Sequence, residues 1–141
     1  MNERSVSVNG ISIYSLTNPN LRSFCLSLYV RAGSIFEDSS NNGISHIFEH
    51  VVFRNLKDKY EKFYELIATH GLSLRGCTYK EFVRFTIDGP RHEFDFAVEV
   101  LCGLFDEIKL TSHDFIMRKD GSKPKSGRKM NGTHLIFILT V

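Results

Sequence analysis

His46, Glu49 and His50 are the residues in this chain whose types and spacing could do chemistry. They form His-x-x-Glu-His within Gly43-Ile44-Ser45-His46-Ile47-Phe48-Glu49-His50-Val51-Val52-Phe53. On a helix turning about 100° per residue the three side chains cluster on one side, so two imidazoles and a carboxylate converge. Neutral imidazole nitrogen is a favoured zinc donor, and two histidines four apart can reach one ion. A glutamate beside them can take a proton from a water attacking a peptide carbonyl and pass it to the leaving amine. On this reading His46 and His50 are metal ligands and Glu49 is the general base. The same pattern also arises on an amphipathic helix whose polar face happens to carry two histidines and a glutamate.

The helix itself is well marked. Ile44, Ile47, Phe48, Val51 and Val52 fall at i, i+3, i+4, i+7 and i+8, an apolar stripe for a buried face. Ser39-Ser40-Asn41-Asn42-Gly43 supplies N-cap residues, and the spacing predicts a helix from there to about Asn55. Phe53 lies on the side of His46, where it marks a face that borders a cleft or a partner, or else is a stray exposed aromatic.

Around that helix the chain reads as α+β with a largely antiparallel sheet. Val6, Val8, Ile11 and Ile13 alternate about Asn9-Gly10, a hairpin with a type I′ turn. Phe24, Leu26, Leu28 and Val30 mark one face of a longer strand. A second helix is expected over Tyr60 to His70, ended by Gly71. Strands follow at Leu72-Ser73-Leu74 and, after Gly76, at Val83, Phe85 and Ile87. An amphipathic helix then spans Phe94 to Ile108, and Thr111 or Ser112 starts another that fails at Gly121, Pro124 and Gly127.

Composition narrows the functional classes. The 141 residues suit one domain with a single core, at 42% hydrophobic and 24% charged. The N-terminal residues lack a secretory pattern and no apolar run would span a bilayer, so a cytoplasmic protein is expected. Cys25, Cys77 and Cys102 have no C-x-x-C spacing and are expected to be reduced and used in packing. Residues 118–131 carry six basic residues against Asp120, a net +5 that leaves −3 for the rest. Without aromatic interleaving this basic stretch predicts no nucleic-acid binding. It runs into the apolar stretch Leu135 to Val141, so residues 118–141 read as an atypical tail to a unit at residues 1–117. A truncated or frame-altered form of a longer protein is the expectation for that tail.

His-x-x-Glu-His is the inverzincin order of the zinc-peptidase motif. With Arg31-Ala32-Gly33-Ser34-Ile35-Phe36-Glu37 before it and Gly76-Cys77-Thr78-Tyr79-Lys80-Glu81 after it, the chain from about Val6 to Phe115 resembles the M16 peptidases. Cys77 stands where that family usually has a small residue. The resemblance implies Zn2+ held by His46 and His50, with Glu49 as catalytic base. It implies as substrate a peptide or small protein precursor, bacteriocin precursors included, paired with an edge strand. It also implies a second M16-type domain or subunit. The third ligand it implies is a glutamate in a window at Lys125, Ser126 and Gly127, where this sequence has none. The other role open to such a chain is a non-catalytic subunit beside an active partner.

Overall fold

The computed structural model describes residues 2–106 and 135–140. The first hairpin is β1 (Asn2–Val8) and β2 (Ile11–Thr17). Val8 faces Ile11 across Asn9 and Gly10, whose φ angles of 51° and 80° are those of the expected type I′ turn. The long strand is β3 (Ser23–Val30), with Phe24, Leu26, Leu28 and Val30 all buried as its alternation predicts.

The motif helix, α1, spans Ile44–Lys59, four residues beyond the predicted end. Its last turn is held by α3 (Phe94–Gly103) and the residues that follow. Leu56 is fully buried, Asn55 Nδ2 donates to the Asp106 carbonyl at 3.3 Å, and Lys59 pairs with Asp106 at 2.9 Å. That hydrogen bond to Asp106 is the main cause holding the Lys59 ammonium above its ordinary pKa. At the other end the helix starts where expected, with Gly43 of the Ser39 to Gly43 stretch as its N-cap. No side chain of the N-cap closes it; the Glu37 carboxylate accepts from the Gly43 and Ser45 amides at 2.6 and 2.9 Å. A negative charge on unpaired amides at the positive end of the helix dipole outcompetes a neutral cap. The buried stripe also starts later than predicted: Ile44 is 45% exposed, and Val51, Val52 and Leu56 carry the contact.

The second helix, α2 (Phe63–Thr69), is shorter than expected because Lys62 enters it from a left-handed conformation, φ 52°. Gly71 ends it as predicted. The Leu72 amide donates to the Ile67 carbonyl and that of Gly71 to Ala68, both at 3.0 Å, a Schellman closure that needs the positive φ of Gly71. Next, β4 (Ser73–Thr78) runs unbroken through Gly76, against the expected interruption there, and pairs with β5 (Val83–Pro90). A short 3-10 turn, Arg91–Glu93, leads into α3. The expected end of that helix at Ile108, and the helix expected from Thr111, lie outside the described residues.

Leu135–Thr140 forms β6 and completes a six-stranded sheet of order β1-β2-β6-β3-β5-β4. All pairs are antiparallel except β2 with β6, so the fold is α+β with a largely antiparallel sheet, as expected. The helices lie over β3, β5 and β4, and the core is the layer between: Leu28, Val30, Val83, Phe85 and Ile87 from the sheet against Val52, Leu56, Ala97, Val100, Leu101 and Leu104. Phe85 is wholly buried among Phe48, Phe53 and Phe105, with ring centroids 5.7–6.3 Å away. Among the described residues no helix is long and apolar enough to cross a membrane. Phe85→Ala should lower the free energy of unfolding by about 3–5 kcal/mol, from lost burial and the cavity left behind, measurable by urea denaturation.

Candidate metal centre

The site is assembled where α1 crosses β4. Gly76 makes the crossing possible: a Cβ added there would lie 2.5 Å from Phe53 Cε2 and 3.0 and 3.1 Å from Glu49 Cγ and Cδ. The helix therefore rests with Glu49 and Phe53 directly on the strand backbone. Phe53 faces β4 and Phe85 rather than a cleft or partner. Two residues along the strand, Thr78 Oγ1 donates a hydrogen bond to Glu49 Oε2. The Glu49 side chain, 14% exposed, is thus fixed against the sheet, while the His46 side chain remains 64% exposed.

The structure brings together all three motif residues. His46 Nε2 and His50 Nε2 are 3.1 Å apart, with ring centroids 4.5 Å apart and planes at 80°. Glu49 Oε2 lies 3.9 Å from His46 Nδ1. The donor set suits zinc: at an ion about 2.0–2.1 Å from each Nε2 the two nitrogens would subtend about 100°, close to tetrahedral. His46 and His50 could hold such an ion, and Glu49 sits beside them on the same helix. No group of three or more potential metal donors occurs among the described residues. The window for a third ligand at residues 125–127 lies outside them.

Two residues important to the geometry carried no role in the sequence reading. Glu37 caps α1 from six and eight residues upstream, a span that no capping-box spacing reveals. Thr78 reaches Glu49 across 29 residues of sequence, and only the pairing of strand and helix makes them neighbours. A backbone contact also links the two regions, since the Ile35 amide donates to the Lys80 carbonyl at 2.9 Å. The loop that caps the helix is tied to the turn that follows Thr78.

The remaining polar candidates lie elsewhere. His70 Nδ1 is 2.7 Å from Glu93 Oε2 and its ring stacks near Phe96, while His92 is 3.6 Å from Glu93. His113 and His134 lie outside the described residues. Cys25, Cys77 and Cys102 are unpaired thiols, as expected, but all three are exposed, so their expected role in packing fails. Cys25 and Cys77 occupy strand positions that alternate away from the helix layer, and Cys102 takes an outward position on α3.

With this geometry in hand, the likeness to known proteins has a physical basis. The sequence profile described as insulinase (peptidase family M16) matches residues 12–129. The chain belongs to that family. It is 26% identical over 113 residues to the beta subunit of the mitochondrial-processing peptidase of Saccharomyces cerevisiae, covering 79% of this chain and 24% of that one. It is 28% identical over 106 residues to the uncharacterized zinc protease YmxG of Bacillus subtilis, covering 74% of this chain and 26% of that one. Human insulin-degrading enzyme is 29% identical over 107 residues, covering 70% of this chain and 10% of the enzyme. The chain thus spans about a quarter or less of the length of these M16 relatives. A crystal structure of a protease from Helicobacter pylori superposes with a TM-score of 0.71 at 20% identity, over 82% of this chain and 28% of that one, a likeness of fold.

Gly76→Ala should cost about 1–3 kcal/mol, because the new methyl group displaces Phe53 and Glu49. Cys77→Ala, one residue along on the other face of β4, should change stability by no more than about 0.5 kcal/mol. Thermal or urea unfolding of the two variants beside the parent tests the contrast; equal costs would show that α1 does not rest on Gly76.

Proposed function

We propose that this chain is the motif-bearing portion of a zinc-dependent M16 endopeptidase that hydrolyses extended peptides. The observation that carries the reading is the approach of His46 Nε2 and His50 Nε2 to 3.1 Å beside a glutamate anchored to β4. His46 and His50 hold the ion, which when bound supplies Lewis acidity toward the peptide carbonyl and a water acidic enough to act near neutral pH. Thr78 holds Glu49 by Oε2, which leaves Oε1 outside that bond to accept a proton and later return it to the leaving amine. Glu37 fixes the first turn of α1, and so the height of His46 relative to Glu49.

Strand β4, one residue of which orients Glu49, is the natural place for an extended substrate to pair, since among the described residues it is an edge of the sheet. The third metal ligand and the opposite wall of the site come from beyond the described residues, in keeping with relatives about four times as long and with a relative named as a beta subunit. Full activity accordingly requires a second M16-type domain or subunit. The isolated chain should show little turnover.

The expected results follow from those roles. Purified from its source through a tag on this chain, the assembly should cleave an unstructured peptide in a chelator-sensitive manner. Glu49→Gln should lower kcat about 10²–10⁴-fold, the usual contribution of a general base, with zinc content unchanged. His46→Ala should lose both zinc and turnover. Hydrolysis that survives Glu49→Gln would overturn the assignment. Zinc-free protein that co-purifies with an active M16 chain would instead establish the non-catalytic subunit role.

A further inference from the structure

On the face of the sheet turned away from the helices, Tyr29 of β3, Arg84 of β5 and Cys77 of β4 stand in one cross-strand row. Arg84 Nη2 donates to Tyr79 Oη at 2.9 Å, and its guanidinium carbon lies 5.3 Å from the centre of the same ring. Hydrogen bonding to the Tyr29 side chain is the main cause holding that guanidinium above its ordinary pKa. Phe82 packs against both tyrosines, with ring centroids 4.7 Å from Tyr79 and 5.3 Å from Tyr29. The two hydroxyls orient the cation without neutralising it, whereas Arg75 on the same face pairs with the Asp88 carboxylate. We propose that Arg84, reached across Cys77, selects peptide substrates that carry an acidic side chain at the residue paired with Cys77. The proposal rests on the reading of β4 as the strand along which a peptide substrate pairs.

The place of Cys77 ties this row to the chemistry. Its neighbours Gly76 and Thr78 face α1, where both meet Glu49. A peptide residue opposite Cys77 therefore lies between those presented to Glu49, yet turns its own side chain to the other face, in line with Cys77 and Arg84. Two strand spacings, about 9.6 Å, separate it from β5, a span that a glutamate and an arginine close by reaching toward each other over a short side chain. Cys77 is short and exposed. Tyr79 is 40% exposed, so the cluster is open to a ligand. A guanidinium presents paired N–H donors that match a carboxylate, and one already held by hydroxyl and ring loses little freedom on binding.

The test uses the full chain and end-labelled unstructured peptides in which one Glu, Gln or Lys is moved along an otherwise constant sequence, with binding read by fluorescence anisotropy. At one position Glu should bind about 5-fold more tightly than Gln, and Lys more weakly than either, with no preference for Glu at the residues on its two sides. Arg84→Gln should abolish the preference, and so should Cys77→Asp, which sets a carboxylate of the chain's own opposite Arg84. Arg84→Lys, which restores the charge, should keep it; all three variants should retain the far-ultraviolet circular dichroism of the parent. An absent preference, one that survives Arg84→Gln, or one shown at every position, as the basic residues of 118–131 would give, overturns the proposal and leaves the peptidase reading standing. Binding of no peptide overturns the proposal together with pairing at β4. A position-specific preference in an assembly that cleaves no peptide keeps the proposal and overturns the peptidase reading.

Discussion

The contact on which the site depends is the bare backbone of β4 under α1. A strand normally holds a helix off by the height of its side chains. At Gly76 there is none, so Glu49 and Phe53 descend to the strand and Thr78 comes within hydrogen-bonding distance of the carboxylate. One missing methyl group thereby sets the depth of the helix, the orientation of the Glu49 carboxylate, and the side of α1 on which His46 and His50 are left exposed. Phe85, paired with Gly76 across the sheet and ringed by Phe48, Phe53 and Phe105, supplies the apolar mass that keeps the helix seated there.

Around that crossing the fold works as a set of restraints on one helix. Its first turn is drawn to Glu37, whose loop is in turn tied to the backbone after Thr78. Its last turn is clamped by Leu56, Asn55 and Lys59 to the end of α3. The two histidines are left at the surface of the helix, on the side that carries Glu49.

Much of this was legible in the sequence. The type I′ turn at Asn9-Gly10, the alternating face of β3, the Gly71 closure and the clustering of His46, Glu49 and His50 all follow from rules that act within a few residues, and the structure bears each of them out. Errors arose where distant parts of the chain compete with local preference. The predicted stop near Asn55 was overridden by contacts with the end of α3, and the first amides of α1 are taken by Glu37 rather than by a side chain next to them. The cysteines, apolar enough for a core by type, fall on faces that turn outward once the strands and helix are seated.

The sequence by itself determined that His46, Glu49 and His50 share one side of an amphipathic helix, because four-residue spacing on a helix is fixed by backbone geometry alone. Tertiary structure decided how those side chains are held. Gly76 reads locally as a strand breaker, yet it is the point of closest approach between helix and sheet; Thr78 is an ordinary strand residue until that approach makes it the anchor of Glu49. The physical reason is that the distance between two elements depends on the side chains of both, and no stretch of one of them contains it.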